Sequence, residues 1–169
     1  MPTLTRTSAL TPTLTLLFLL LCIMTKAEIP NTQKDLMDFW LGDWNCAWGD
    51  SVQATNHISR ILDNKVIEEN FHYSDGTFIG KSWSMFDSTT SKWRQTWVDN
   101  AGAYLVFTGR KEGDTVIFEG DESVTKNGQK NYRRMIFFSI KKDSFEWDWQ
   151  SSADRLNWKS LWHISYTRK

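Results

Sequence analysis

The residues of this chain best placed to do chemistry are carboxylates and cations set among aromatic and branched side chains. Asp63-Asn64 reads as a two-residue hairpin turn. That turn sets Arg60 opposite Ile67, Ile58 opposite Glu69 and Asn56 opposite Phe71. One face of the hairpin then holds Asn56, Ile58, Arg60, Ile67, Glu69, Phe71 and Tyr73, and the other holds His57, Ser59, Ile61, Glu68, Asn70 and His72. The first face carries the larger apolar groups and is expected inside, with Glu69 diagonal to Arg60 and near Asn56. Charges within an apolar wall cost several kcal/mol unless paired and hydrogen-bonded, so they mark either a ligand pocket or an ion pair that fixes register.

The run Trp93 to Asp99 alternates Trp93, Gln95, Trp97 and Asp99 against Arg94, Thr96 and Val98. If the tryptophans point inward, Gln95 and Asp99 come with them, although an aspartate before a turn also serves as its cap. In Tyr132-Arg133-Arg134 one arginine must face inward, and Arg134, on the face of Tyr132, Ile136 and Phe138, is the candidate to meet an acidic ligand group. Its alternative is a carboxylate across the sheet.

Histidine chemistry is sparse. His57 and His72 fall diagonal on the outer face of one hairpin without a third ligand, whereas a zinc site wants three or four. His163 alternates with Trp162 and Ile164 and points away from their apolar face. Cys46 shares a face with Trp44 and Trp48 and reads as a small buried hydrophobe. No serine sits in a Gly-x-Ser-x-Gly elbow and no Gly-rich phosphate loop follows a strand. Neither a metal nor a cofactor is expected.

These groups need a scaffold, and the periodicity supplies one. Lys34 to Leu41 predicts a short amphipathic N-terminal helix with Leu36, Phe39 and Trp40 on its apolar side. From Gly42 the period changes to two, and turn signals such as Ser74-Asp75-Gly76, Asn100-Ala101-Gly102 and Lys126-Asn127-Gly128 recur between runs rich in β-branched and aromatic residues. About nine or ten antiparallel strands result. Nearly every link is hairpin length, so the strands are expected to close as an all-β, up-and-down antiparallel barrel rather than pair as a Greek-key sandwich. Ten tryptophans would crowd its core.

Met1 to Ala27 has the form of a secretory signal peptide, with Arg6, an apolar run from Leu14 to Met24, and small residues before Glu28. The run is too short to span a bilayer, which takes ~20 apolar residues. The barrel domain would then occupy residues 28–169 and be secreted or periplasmic, with no stable membrane insertion after cleavage. Cleavage removes Arg6 and Lys26 from a chain with 20 basic and 20 acidic residues, for a net charge of about −2. That evenly mixed charge argues against a nucleic-acid partner. Cleavage also takes Cys22, leaving Cys46 with no internal disulfide partner.

The opening Asp38-Phe39-Trp40-Leu41-Gly42-Asp43-Trp44 resembles the start of calycin-type barrels, where a Gly-x-Trp heads the first strand. In lipocalins that tryptophan packs on an arginine of the last strand, a role the resemblance would give to Arg168. More of the chain resembles a family of mostly bacterial, often exported proteins known only as a domain of unknown function. The matching pieces are Phe39 to Trp44, Ile67-Glu68-Glu69, Gly80-Lys81-Ser82, Phe86-Asp87, Trp93 to Asp99, Ser152-Ala153-Asp154 with Trp158, and Tyr166-Thr167-Arg168. The loop after Asp154 departs from that family in reading Arg155-Leu156-Asn157 where glycines are usual. The resemblance implies a calycin-like fold and no particular activity.

Together these readings predict a barrel that binds a small, largely apolar molecule, with Asn56, Arg60, Glu69, Phe71, Trp93, Gln95, Trp97 and Arg134 around it. An alternative uses Glu69 or Asp99 for acid/base isomerisation or cyclisation of a small apolar substrate. A third stacks exposed indoles on sugars.

Overall fold

A computed structural model describes residues 31–169. The signal peptide expected over Met1–Ala27 lies outside the described residues.

Among the described residues, eleven strands follow a short helical lead: β1 Gly42–Trp48, β2 Ser51–Ile61, β3 Val66–Tyr73, β4 Ile79–Asp87, β5 Lys92–Asp99, β6 Tyr104–Glu112, β7 Thr115–Gly120, β8 Ser123–Val124, β9 Lys130–Phe138, β10 Ser144–Ser152 and β11 Lys159–Arg168. From β1 to β7 each strand pairs antiparallel with the next, β9 pairs with both β7 and β10, and β11 joins β10 to β1. The result is a closed ten-stranded antiparallel barrel, with the two-residue β8 lying outside it against β9. Closure removes the unpaired edges that so many short-linked strands would otherwise expose.

The alternation of inner and outer residues follows from the pleat. In β4, Gly80, Ser82 and Ser84 are buried while Lys81, Trp83 and Met85 face out. The β2–β3 hairpin has the expected register, with Asn56 opposite Phe71, Ile58 opposite Glu69 and Arg60 opposite Ile67. Its turn places Asp63 and Asn64 at φ of 54° and 62°, as the right-handed twist of a tight hairpin requires. Register shifts at Cys46/Ala47 and Trp149/Gln150 bend β1 and β10 around the barrel.

The continuous helix expected over Lys34 to Leu41 is not formed. One helical turn, α1, spans Asn31–Lys34, and a separate 3-10 turn spans Asp38–Trp40. The backbone bonds from Asp38 to Asp35, from Trp40 to Met37 and from Leu41 to Asp38 all reach back three residues rather than four. This tighter winding sinks both Met37 and Trp40 into one end of the barrel, which the helical spacing of Leu36, Phe39 and Trp40 would not do.

That end is plugged. Phe39 packs edge-on against Phe137 and Phe145, Trp40 against Phe137, and Trp44 against Phe145. The Arg168 guanidinium lies 4.2 Å from the Trp44 ring centre and donates to the Leu41 carbonyl at 3.0 Å. Gly42, at φ of 121°, permits the crossing, because a Cβ there would collide with the Arg168 guanidinium.

Candidate functional site

Above the plug the barrel keeps a cavity of about 510 Å³. Its floor is Trp40, its wall carries Phe71, Trp97, Phe107, Trp149 and Trp162, and Ala103, Leu105, Ser123, Asn131 and Arg133 line it as well. The space exists because β4 turns the small residues Gly80, Ser82 and Ser84 toward it, while Phe86, the next inward residue, packs on Trp93, so the rings of the facing strands do not meet a full complement of side chains. Gly80 lies directly under the six-membered ring of Trp97. Gly80→Ala is expected to turn that indole out of place and cost about 1–3 kcal/mol, read by urea denaturation. An unchanged midpoint would mean that Trp97 moves freely.

Among the described residues, Glu69 is the one carboxylate deep in this wall, 6% exposed. Asn56 Nδ2 donates to Glu69 Oε1 at 2.7 Å and Ser82 Oγ donates to Oε2 at 2.5 Å. Gln95 Nε2 in turn donates to Ser82 Oγ at 3.2 Å. Burial pushes the Glu69 carboxyl up to about 7, against the opposing pull of the Ser82 and Asn56 hydrogen bonds. Two other buried polar atoms of the lining, Gln95 Oε1 and Trp40 Nε1, have no partner among the described residues.

The expected pairing of Glu69 with Arg60 is not made. Arg60 reaches the plugged end, where it pairs with Asp38 and donates to the Asn64 carbonyl at 2.9 Å. It lies two residues nearer that end than the position facing Glu69, and the plug supplies an acceptor there.

Of the other expected residues, Glu69, Phe71, Gln95 and Trp97 all line the cavity. Asn56 sits behind Glu69 and orients it. Trp93 is buried nearer the plugged end, where its Nε1 donates to the Gln33 carbonyl at 2.7 Å, so it does not reach the cavity. Asp99 lines the cavity but serves as a cap. Its oxygens accept from Trp97 Nε1 and from the backbone N–H groups of Ala101 and Ala103. Burial alone would raise its pKa, and these bonds outweigh that and hold it below the usual range.

Arg134 faces outward, contrary to expectation. Its Nε donates to Gln150 Oε1 at 2.7 Å and its guanidinium stacks 4.0 Å from the Trp158 ring centre. The parity of β9 is set by Met135 and Phe137, which enter the core opposite Phe118 and Val116 and so turn Arg133 to the cavity side, where it lines the wall while staying exposed to solvent. Arg133 sits 5.7 Å from the Trp149 ring centre.

The histidines stay off the cavity. His57 meets Asp43 at 2.7 Å, and His163 lies between Asp148 at 2.7 Å and Glu146 at 3.2 Å. Cys46 is fully buried, and burial pushes its thiol far above its ordinary range. Trp83 and Trp158 lie outside the core and the cavity, whereas sugar stacking needs a row of exposed indoles.

Sequence reasoning missed Ser82, Tyr166, Trp147, Trp149, Trp162 and Arg133. Three of the four apolar residues of β4, Ile79, Trp83 and Met85, point out, so composition favours the wrong face. Carrying the Glu69 parity across the Ser74 to Thr77 turn would have found Ser82, its direct partner. No protein-family model matches the chain, and no curated protein matches it.

Proposed function

We propose that this protein is an exported, calycin-like barrel that holds a small, largely apolar molecule in its interior. The observation that carries this reading is the ring-lined cavity of about 510 Å³ with one buried carboxyl in its wall. Ligand sites run roughly 300–1,000 Å³ and combine apolar walls with a few convergent polar groups, whereas well-packed cores leave few voids larger than a water. Stacking on indoles and burial of apolar ligand surface, at roughly 25 cal/mol per Å², would supply the affinity. The leader at Met1–Ala27 supports export, and the Gly42, Trp44 and Arg168 arrangement supports the calycin-like assignment.

Binding is tested with N-phenyl-1-naphthylamine, a neutral dye that brightens in apolar sites. Saturable uptake is expected, weakened on the order of tenfold or more in Ala103→Trp, which fills part of the cavity. No saturable uptake by fluorescence or calorimetry would sink the proposal.

One observation favours a second reading, acid/base catalysis. A carboxyl titrating at about 7 in the wall of a cavity is suited to move a proton near neutral pH. Only Glu69 fits that role, because the Asp99 carboxylate is committed to its turn. A Glu69→Gln variant that binds substrate without converting it would separate catalysis from simple binding.

A further inference from the structure

Resting on the reading of the interior as a ligand site, we infer that Glu69 acts through Ser82 on Gln95 to choose the ligand's polar group. A hydroxyl-bearing aromatic ligand is selected when Glu69 is ionised, and a ligand with only an acceptor, such as an ether or ketone, when it is protonated.

The three side chains form one chain of hydrogen bonds across neighbouring strands. Glu69 lies on β3, Ser82 directly opposite it on β4, and Gln95 on β5 opposite Ser84. All three are buried, and Glu69 and Gln95 both line the cavity. A serine hydroxyl has a single proton to give. An ionised carboxylate can only accept, so that proton goes to Glu69 Oε2, at 2.5 Å. Ser82 Oγ then offers Gln95 only a lone pair, and Gln95 must present its Nε2, at 3.2 Å. Its carbonyl Oε1 is left over, buried and without a partner among the described residues. A buried acceptor without a donor is costly, and a ligand hydroxyl removes that cost.

Protonation reverses the chain. Oε1 of Glu69 already accepts from Asn56, so the proton resides on Oε2 and is donated to Ser82 Oγ. The Ser82 hydroxyl is freed to donate to Gln95 Oε1, the amide turns over, and its NH₂ becomes the group offered to the cavity.

The groups facing Glu69 leave this equilibrium to its own proton. They are Asn56 from β2, Ser82 from β4 and, on β1 and β11, Cys46 and Tyr166, whose pKa values burial raises so that both stay neutral. The charged residues of the same cavity, Asp99 and Arg133, belong to β5 and β9, and Asp99 is bound to its own turn. The pH range in which Glu69 changes state, around 7, is accessible to experiment.

Calorimetric titration with 2-naphthol and 2-methoxynaphthalene tests this, since the two share a ring and differ in the hydroxyl proton. At about pH 8 the naphthol is expected to bind on the order of tenfold tighter, one hydrogen bond's worth, and near pH 5 that preference should vanish or invert. Gln95→Met should abolish the preference at both pH values. Ser82→Ala, a small change inside the wall, should make it independent of pH. Equal affinities at about pH 8, a preference that does not change with pH, or a pH response that persists in Ser82→Ala would each overturn the inference while leaving the cavity a binding site. If neither compound binds, the binding reading falls with it.

Discussion

Trp44→Ala is expected to lower the unfolding free energy by about 4 kcal/mol, within the usual range of 3–5 for loss of a buried tryptophan. Trp44 has no exposed surface and sits where the plug meets the strands. Its ring lies 4.9 Å from that of Phe145 and 6.4 Å from that of Tyr166, with the Arg168 guanidinium over its face. Its Nε1 donates to the Trp40 carbonyl at 2.7 Å, tying the 3-10 turn to β1. Alanine would remove the transfer energy of the ring, leave a hole that fixed strands cannot close, and orphan the Trp40 carbonyl. Trp44→Phe should recover most of the loss, short of the hydrogen bond worth about 1 kcal/mol. Guanidinium denaturation followed by far-ultraviolet circular dichroism measures both. A loss below about 1 kcal/mol for the alanine variant would mean that the plug does not brace the barrel.

The second large effect is on the pH dependence of stability. The Glu69 carboxyl titrates at about 7 in the folded protein against 4.5 for an unburied glutamate. Between those values the folded state holds a proton that the unfolded state has lost, so stability falls as pH rises through the window and levels off above about 7. The shift corresponds to roughly 3 kcal/mol. The depressed carboxyls, Asp99 and Asp154 among them, act in the opposite sense and at lower pH, since their stabilisation is lost only as pH falls below the ordinary carboxylate range. Glu69→Gln keeps the shape and most hydrogen bonds and removes the titration. The variant should therefore be more stable than the parent at about pH 8 and should lack the downward slope, as urea midpoints across the range would show. A parent whose stability does not fall between pH 4.5 and about 7 would mean that Glu69 is far better solvated than its surroundings indicate.

How much of this was legible in the chain depends on the range over which each feature is decided. Asp63-Asn64 was enough to place Glu69 and Phe71 on the inner face and His57 and His72 on the outer one, because a tight turn sets the parity of both its strands. The same short range limited the reading of β9. Its inward residue had to be Arg133 or Arg134, and the choice came from Met135 and Phe137 meeting Phe118 and Val116 on a strand separated from it by Asp121 to Gln129. Arg60 was assigned to Glu69 because both share one hairpin face. Its actual partner, Asp38, comes from the plug, an element whose position the hairpin does not encode.

By itself, then, the amino-acid order determined the strands, their turns, the closed antiparallel barrel and the side of the β2–β3 hairpin that faces inward. These follow from a period of two and from turn residues, which are properties of a few neighbouring positions. Tertiary structure alone decided that a cavity remains, that Glu69 is held there by Asn56 and Ser82 rather than by a cation, and that Gln95 joins them through Ser82. Whether a ring of strands leaves space depends on the summed volumes of side chains from all of them. Whether a buried charge finds a partner depends on which side chains closure brings into reach.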